Sequence, residues 1–483
     1  MTSIGKTLGS GIIYTAVAQY SGVLFSILIG AVLARLLTPE EFGVVALVTV
    51  FVTFFNLLSN FGIGQAVVQN QSLTDDDIQS IFSFSILLGF LLAGLFFLFA
   101  PFIASFYNES ELIDISKWLA ISVLFNSLQI IPKARFQKEL KFKQIGIVTL
   151  IVQVLCGVIA IILAYMGFSY YALVVHSILN GLFTLIVFYY LAPIKIALKI
   201  NMESINKIFR FSLFNFLFNF INYFTRNGDN LLIGKFLGSA QLGFYDKSYR
   251  LMMMPVQNLT QVITTVLMPV LSKYQDDKEV IYKTYLKVLK IIATIGFPLS
   301  VFMFFSAYEI INIVYGSQWN ESIPVFKIIT LMIGIQMIYA SASSVFLAVN
   351  RTDLLFYYGL IGATLLLSGI SYGVFFSKTL EAVGYGLLVA FYLNFFIVFY
   401  MLIHIALNKS FIDFFKIFLF PLMISLIMAV SLWFCSKYET ENIYYNFFLK
   451  LVISCITFGL IFLSKKENRN LMQMGIKQYV NKV

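Results

Sequence analysis

From residue 144 to residue 194 the chain runs for 51 residues without one Asp, Glu, Lys or Arg. A helix crosses a bilayer core with roughly 20 apolar residues, so this window predicts two spans joined at "YMGFSYY" (165–171). Charge-free windows also lie between Lys6 and Arg35, Glu41 and Asp75, and Asp77 and Glu109. Further candidates fall near 117–132, 208–233, 251–271, 291–314, 325–349, 354–376, 382–406, 414–435 and 446–464, giving about fourteen helices by span length. Charged residues make up only 12% of the chain, against about 25% in soluble domains. The long apolar runs lack the period-2 alternation of an outer-membrane barrel. The expectation is an all-α polytopic membrane protein.

The net charge of +10 raises the question of a nucleic-acid partner. Its placement argues against one. With the N-terminus taken as cytoplasmic, most of the 33 Lys and Arg fall in loops predicted inside: Lys6, the run 133–143, 195–210, 273–290, Arg351, Lys409, Lys416 and the tail from Lys465. This is the positive-inside bias of a membrane protein with both termini cytoplasmic. The acidic loop "QSLTDDDIQS" (71–80) dissents, but acidic residues contribute little to that rule. No cleavage site precedes the first long apolar segment, so an uncleaved first helix is expected.

Catalytic constellations are missing from the sequence. Cys156, Cys435 and Cys455 are scattered, and no metal or disulfide framework follows from them. There is no GxxxxGK[ST] phosphate loop, HExxH, CxxC or GxSxG. No cofactor is expected.

A weak internal repeat organises the chain. "LARLLTPEEFGVVAL" (33–47) and "IGKFLGSAQLGFYDK" (233–247) superpose at an offset of 200 residues, pairing Arg35 with Lys235, Leu37 with Leu237, Phe42 with Leu242 and Gly43 with Gly243. Six predicted spans separate the copies, so both face the same side. Such a parallel repeat is a common transporter plan, with a site between the halves. The expected units are a lobe at 1–195, a lobe at 204–406, and an extra helix pair with a basic tail at 407–483, the lobes being joined by the linker "APIKIALKINMESINK" (192–207).

The polar residues inside spans are the candidate site. Asn215, Asn219, Asn222, Arg226 and Asp229 recur at spacings of 4, 3, 4 and 3, which places them on one stripe of a helix. Lipid cannot satisfy such a stripe. It either lines a water-filled cavity or bonds neighbouring helices through its amides. Counted from Arg210, Arg226 lies about 24 Å along a helix and Asp229 about 28 Å, in the outer part of a core about 30 Å thick. The two either neutralise each other, three residues apart, or offer a fixed cation to an anionic headgroup. "Asn227–Gly228" between them is a candidate bend. A second stripe holds Thr15, Gln19, Gly22 and Ser26, and the next span offers Asn56, Asn60 and Gln65. Amides interleaved with Tyr and Phe suit sugar hydroxyls; each taken singly also suits packing. "EFG" (41–43) and "YGSQWNES" (315–322) read as tight outer turns.

Four blocks carry a family resemblance: "LARLLTPEEFGVVALVTVFVTFFNLLSNFGIGQAVVQ" (33–69), "RNGDNLLIGKFLGSAQLGFYDKSYRL" (226–251), "MPVLSKYQDDKE" (268–279) and "YGSQW" (315–319). Together they resemble Wzx-like polysaccharide flippases of the multidrug/oligosaccharidyl-lipid/polysaccharide exporter superfamily. The resemblance implies two six-helix lobes around a central cavity plus two peripheral helices. It implies transport of undecaprenyl-pyrophosphate-linked oligosaccharide, as in lipopolysaccharide, O-antigen or exopolysaccharide pathways, to the outer leaflet of the bacterial inner membrane. It also implies coupling to H+ or Na+, with membrane lipids and polymerase machinery as partners, and pairs Arg226 with a family role as cation for the pyrophosphate. The first lobe departs from that pattern, its spans holding almost no charge, so Arg35, Lys235 or loop lysines would have to supply other cations.

Two competing readings remain. A cation-coupled drug antiporter of the same superfamily favours buried carboxylates, which the first-lobe spans lack. A membrane polysaccharide polymerase or glycosyltransferase would show a long extracytoplasmic loop or an acidic metal motif, and would leave the repeat without a purpose.

Overall fold

The structure is a computed structural model that describes residues 20–197 and 200–465. Gln19, Lys6 and the basic tail after Lys465 lie outside the described residues. Every described element is helical, as an apolar chain requires when lipid offers no hydrogen bonds.

The chain divides by packing into two compact units, Met1–Gly243 and Phe244–Val483. The first contains α1 (Tyr20–Leu36), α2 (Pro39–Asn60), α3 (Ile63–Gln69), α4 (Asp75–Tyr107), α5 (Leu112–Leu128), α6 (Ile130–Lys138), α7 (Phe142–Tyr165), α8 (Tyr171–Leu191) and α9 (Met202–Leu237). The pairs α2–α3 and α5–α6 each form one span. Helix α10 (Ser239–Ser272) begins in the first unit and continues into the second. The second unit adds α11 (Lys278–Phe305), α12 (Ala307–Val314), α13 (Ser322–Thr330), α14 (Ile333–Ala348), α15 (Thr352–Tyr372), α16 (Leu380–Phe399), α17 (Phe411–Lys416), α18 (Leu419–Cys435) and α19 (Ile443–Ser464).

Ten of the described helices are long and apolar enough to cross a membrane, or eleven if the bent pair α13–α14 is one span. A total of fourteen is reached only by adding α1, α9 and α10. Those last two helices, 36 and 34 residues long, owe their lower apolarity to the charges at 203–210, 226–235 and 246–250. Of the linker expected at 192–207, residues 202–207 already belong to α9, and α9 itself packs on α2, α3 and α4. The packing boundary therefore follows α9 instead of preceding it.

Local chemistry sets the ends of these helices. Thr38 caps α2 and Thr74 caps α4, each in a reciprocal box with the acidic residue three positions on, Glu41 or Asp77. "EFG" is thus the first turn of α2, not a loop. Between α2 and α3 the backbone turns left-handed at Phe61 (φ 39°) and Gly62 (φ 73°), breaking the span in two. Apolar residues of α3, α4, α6 and α9 close over that break, among them Ile63, Val67, Ile81, Ile131 and Ile208. On α19 the pattern inverts. Its buried residues are Asn446, Lys450 and Ser454, while Tyr444, Phe448 and Leu460 face outward.

The repeat acquires a physical contact. A Cβ added to Gly43 would lie 1.8 Å from the carbonyl oxygen of Ser239, and one added to Gly243 would lie 2.1 Å from that of Pro39. The offset of 200 converts Pro39 into Ser239 and Gly43 into Gly243. Each copy therefore presents to the other the same two positions it receives, as across a two-fold axis. The break before each helix also matches, with Thr38 as N-cap in one copy and Gly238 (φ 91°) in the other.

Candidate functional site

Helix α9 carries the predicted stripe and runs unbroken through Asn227–Gly228. Asn201 caps its start by accepting from the Glu203 N–H at 2.9 Å. Near its middle the Tyr223 hydroxyl donates to the Val50 carbonyl at 2.9 Å, fastening the helix to α2. Part of the stripe bonds within the helix: Asn219 Nδ2 donates to the Asn215 carbonyl at 2.8 Å and also to the Asn215 side-chain oxygen. Asn227 Nδ2 donates to the Tyr223 carbonyl at 2.9 Å.

The N-terminal half of α9 and the end of α3 border an open cavity of about 840 Å³, lined by Gln65, Gln69, Lys207, Arg210, Phe211, Phe214, Asn215 and Asn219. It lies within the range of roughly 300–1,000 Å³ usual for small-ligand sites. Its composition is selective: two cations one turn apart, four side-chain amides and two phenyl faces. Guanidinium and ammonium groups suit phosphate oxygens. Amides supply both donors and acceptors for hydroxyls.

Electrostatics distinguish the two cations. Lys207 Nζ sits 3.0 Å from both carboxylate oxygens of Asp77. Asp77 is buried and also accepts from Ser204 Oγ at 2.6 Å and from the Thr74 N–H and hydroxyl at 3.0 Å. The lysine is therefore held in place by a carboxylate that is itself fixed by a helix cap. Arg210 is exposed, and among the described residues no carboxylate pairs with it.

The structure brings Asn215, Asn219 and Gln65 together here, while Asn222, Arg226, Asp229, Asn56 and Asn60 are not part of the lining and Gln19 lies outside the described residues. Arg226 is exposed and Asp229 buried, so a shared environment does not follow from their spacing. The Asp229 carboxylate accepts from the Asn230 N–H at 2.8 Å. Asn222 is half-buried. Asn56 and Asn60 lie on α2 short of the break, their side-chain oxygens buried and without a hydrogen-bond partner among the described residues. The residues that sequence reasoning missed are Lys207, Arg210 and Gln69. For Lys207 the signal was available, since 207 and 211 continue the stripe of α9 toward its start at spacings of 4. Within the basic run 195–210 the two cations carry the signature of an inner membrane face, which masks a role in binding.

A family model described as "Polysaccharide biosynthesis protein" matches residues 32–324. Teichuronic acid biosynthesis protein TuaB of Bacillus subtilis (strain 168) is 26% identical over 373 residues, covering 77% of each chain. Lipopolysaccharide biosynthesis protein WzxC of Escherichia coli (strain K12) is 25% identical over 370 residues, covering 74% of each. In fold, the chain resembles the inward closed conformation of lipid II flippase MurJ, with a TM-score of 0.74 at 15% identity, over 95% of this chain and all of that one. With the family model spanning more than half of its length, this multi-pass membrane chain belongs to the polysaccharide biosynthesis protein family.

Proposed function

We propose that the chain is a flippase that moves undecaprenyl-pyrophosphate-linked oligosaccharide units from the cytoplasmic to the outer leaflet of the bacterial inner membrane, both its termini being cytoplasmic. The observation that carries the reading is the cavity on α9, where Lys207 and Arg210 stand beside the Asn215–Asn219 amide pair and two phenyl faces. A pyrophosphate needs cations, and a sugar needs amides and flat apolar surfaces. Unaided passage of such a headgroup through hydrocarbon is prohibitive. The family and the names of the relatives support a saccharide substrate, and the fold neighbour's name supports one linked to lipid.

In this reading Lys207 and Arg210 receive the pyrophosphate near the inner face. Asn215, Asn219 and Asn222 pass the sugar along α9, and Gln19, Asn56 and Asn60 are the further amides that this reading assigns to the sugar. Arg226 and Asp229 hold and release the headgroup nearer the outer face, about 24 Å beyond Arg210. The chain transports without covalent chemistry, driven by an H+ or Na+ gradient, and delivers its product to polymerase machinery.

The test is deletion of the gene with identification of the lipid-linked intermediate that accumulates, followed by complementation. Arg210→Ala and Arg226→Ala abolish complementation at normal membrane abundance, while Arg226→Lys retains some activity. Full activity of both alanine variants refutes the cation roles. If no glycolipid accumulates on deletion, the transport reading itself is wrong.

A further inference from the structure

The second unit contains a charge cluster that the transport reading does not use. Lys450 of α19 and Glu309 of α12 are 2% and 0% exposed at their side chains. Lys450 Nζ donates to Glu309 Oε1 at 2.6 Å, to the Phe305 carbonyl at 2.8 Å, and meets Glu439 Oε1 at 2.8 Å. An ammonium has three donors, and all three are engaged. Glu309 Oε2 is left buried with no partner among the described residues, and so is the Ser306 hydroxyl.

Those two orphans share an origin. Ser306 is the N-cap of α12 and Glu309 its third residue, the spacing of a capping box, yet no side-chain cap bond forms. Glu309 has turned to Lys450 instead, so the hydroxyl and the second carboxylate oxygen both lack the bond that a box would give them.

The charges do not balance. One ammonium faces two carboxylates, so the cluster carries one surplus negative charge, shared between a buried Glu309 and an exposed Glu439, and burial penalises the unpartnered Glu309 oxygen. Lys437, two residues before Glu439, is exposed and lies over the Trp433 ring at 3.8 Å. The charged residues of α11 lie at 278–290, at least 15 residues before Phe305, and α13 carries only Lys327, in its last turn. The Cys435 thiol of α18 is a further titratable neighbour of the cluster.

We infer that the Glu309–Lys450–Glu439 cluster is a binding site for one monovalent cation, held by Glu309 Oε2 with the Ser306 hydroxyl beside it. A proton or an alkali-metal ion supplies the same missing charge. Glu439, 37% exposed, connects the site to solvent. Occupancy neutralises the joint by which α19 is fastened to α11 and α12, so the cation stabilises the attachment of the α18–α19 pair.

The test uses the full-length protein in lipid nanodiscs and reads its unfolding midpoint. Na+ or K+ is exchanged for choline at constant ionic strength and fixed pH, and pH is then varied in choline alone. The wild-type midpoint rises by a few degrees with the alkali metal, with acidification, or with both, which assigns the ion. Glu309→Gln, which imitates the neutralised carboxylate, loses that response. Glu439→Gln removes the surplus charge while leaving the Lys450–Glu309 pair intact, and it loses the response even if Glu309→Gln fails to fold. A wild type indifferent to both series, or a Glu439→Gln variant that responds as the wild type does, overturns the site. Neither result bears on the saccharide substrate, which is judged by complementation.

Discussion

Asp77 joins a helix cap, the start of α9 and a cavity cation, so replacing it tests several contacts at once. In Asp77→Ala the reciprocal partner of the Thr74 cap is lost, about 1 kcal/mol by the usual worth of such caps. The Ser204 hydroxyl, in a residue only 2% exposed, then loses its 2.6 Å acceptor; leaving such a group unsatisfied costs about 1–3 kcal/mol. Lys207, with a side chain 39% exposed, adds no more than a surface ion pair, about 0–1 kcal/mol. The expected loss is therefore about 3 kcal/mol, or about half that for Asp77→Asn, which keeps one acceptor. The assay is thermal unfolding of the purified protein, combined with a double-mutant cycle. Ser204→Ala alone destabilises, but in the Asp77→Ala background it adds little, because its partner is already gone, and the coupling is on the order of 1 kcal/mol or more. A midpoint unchanged in Asp77→Ala, or strict additivity in the cycle, refutes the network as the fastening between α4 and α9.

Two further perturbations are independent of that network. Glu109, in the loop after α4, has its carboxyl raised above the usual value of 4.5, first by burial and further by Glu111 and Glu40, against a hydrogen bond from Ser239. A raised folded value means that the fold favours the protonated acid, so its contribution is complete below 4.5 and is lost as pH rises through the higher folded value. Glu109→Gln flattens that part of the stability–pH curve, and an unchanged slope would count against the burial of this group. Gly43→Ala forces a methyl to within 1.8 Å of the Ser239 carbonyl and costs at least about 1–3 kcal/mol. Gly30→Ala, with nothing within 4 Å, is neutral or stabilising by up to about 1 kcal/mol, and membrane abundance compares the two.

How much of this was legible in sequence depends on the length scale of the interaction. Charge-free windows declare spans because lipid penalises each residue separately, so the signal needs no partner. Thr38 and Glu41 declare a helix start for the same local reason. The break at Phe61–Gly62 was not read, since its cause is the packing of α3 against α4, α6 and α9. Lys207 and Arg210 were visible, but as evidence of orientation; only the fold of α3 onto α9 puts Gln65 and Gln69 opposite them. Arg226 and Asp229 share a helix and a stripe, yet periodicity assigns direction, not surroundings, and one proves exposed and the other buried. The Lys450–Glu309 pair spans 141 residues, and no local pattern could announce it.

The contact between Gly43 and Gly243 also explains where the repeat can be seen. Elsewhere each half drifts under its own neighbours, and a change in one copy places no demand on the other. At the glycine crossing each copy is the mould for the other: a side chain gained at position 43 strikes the backbone at 239, and one gained at 243 strikes that at 39. Divergence there must occur in both copies together or not at all. The stretch that still betrays a duplication thus contains the crossing at which the chain touches its own duplicate.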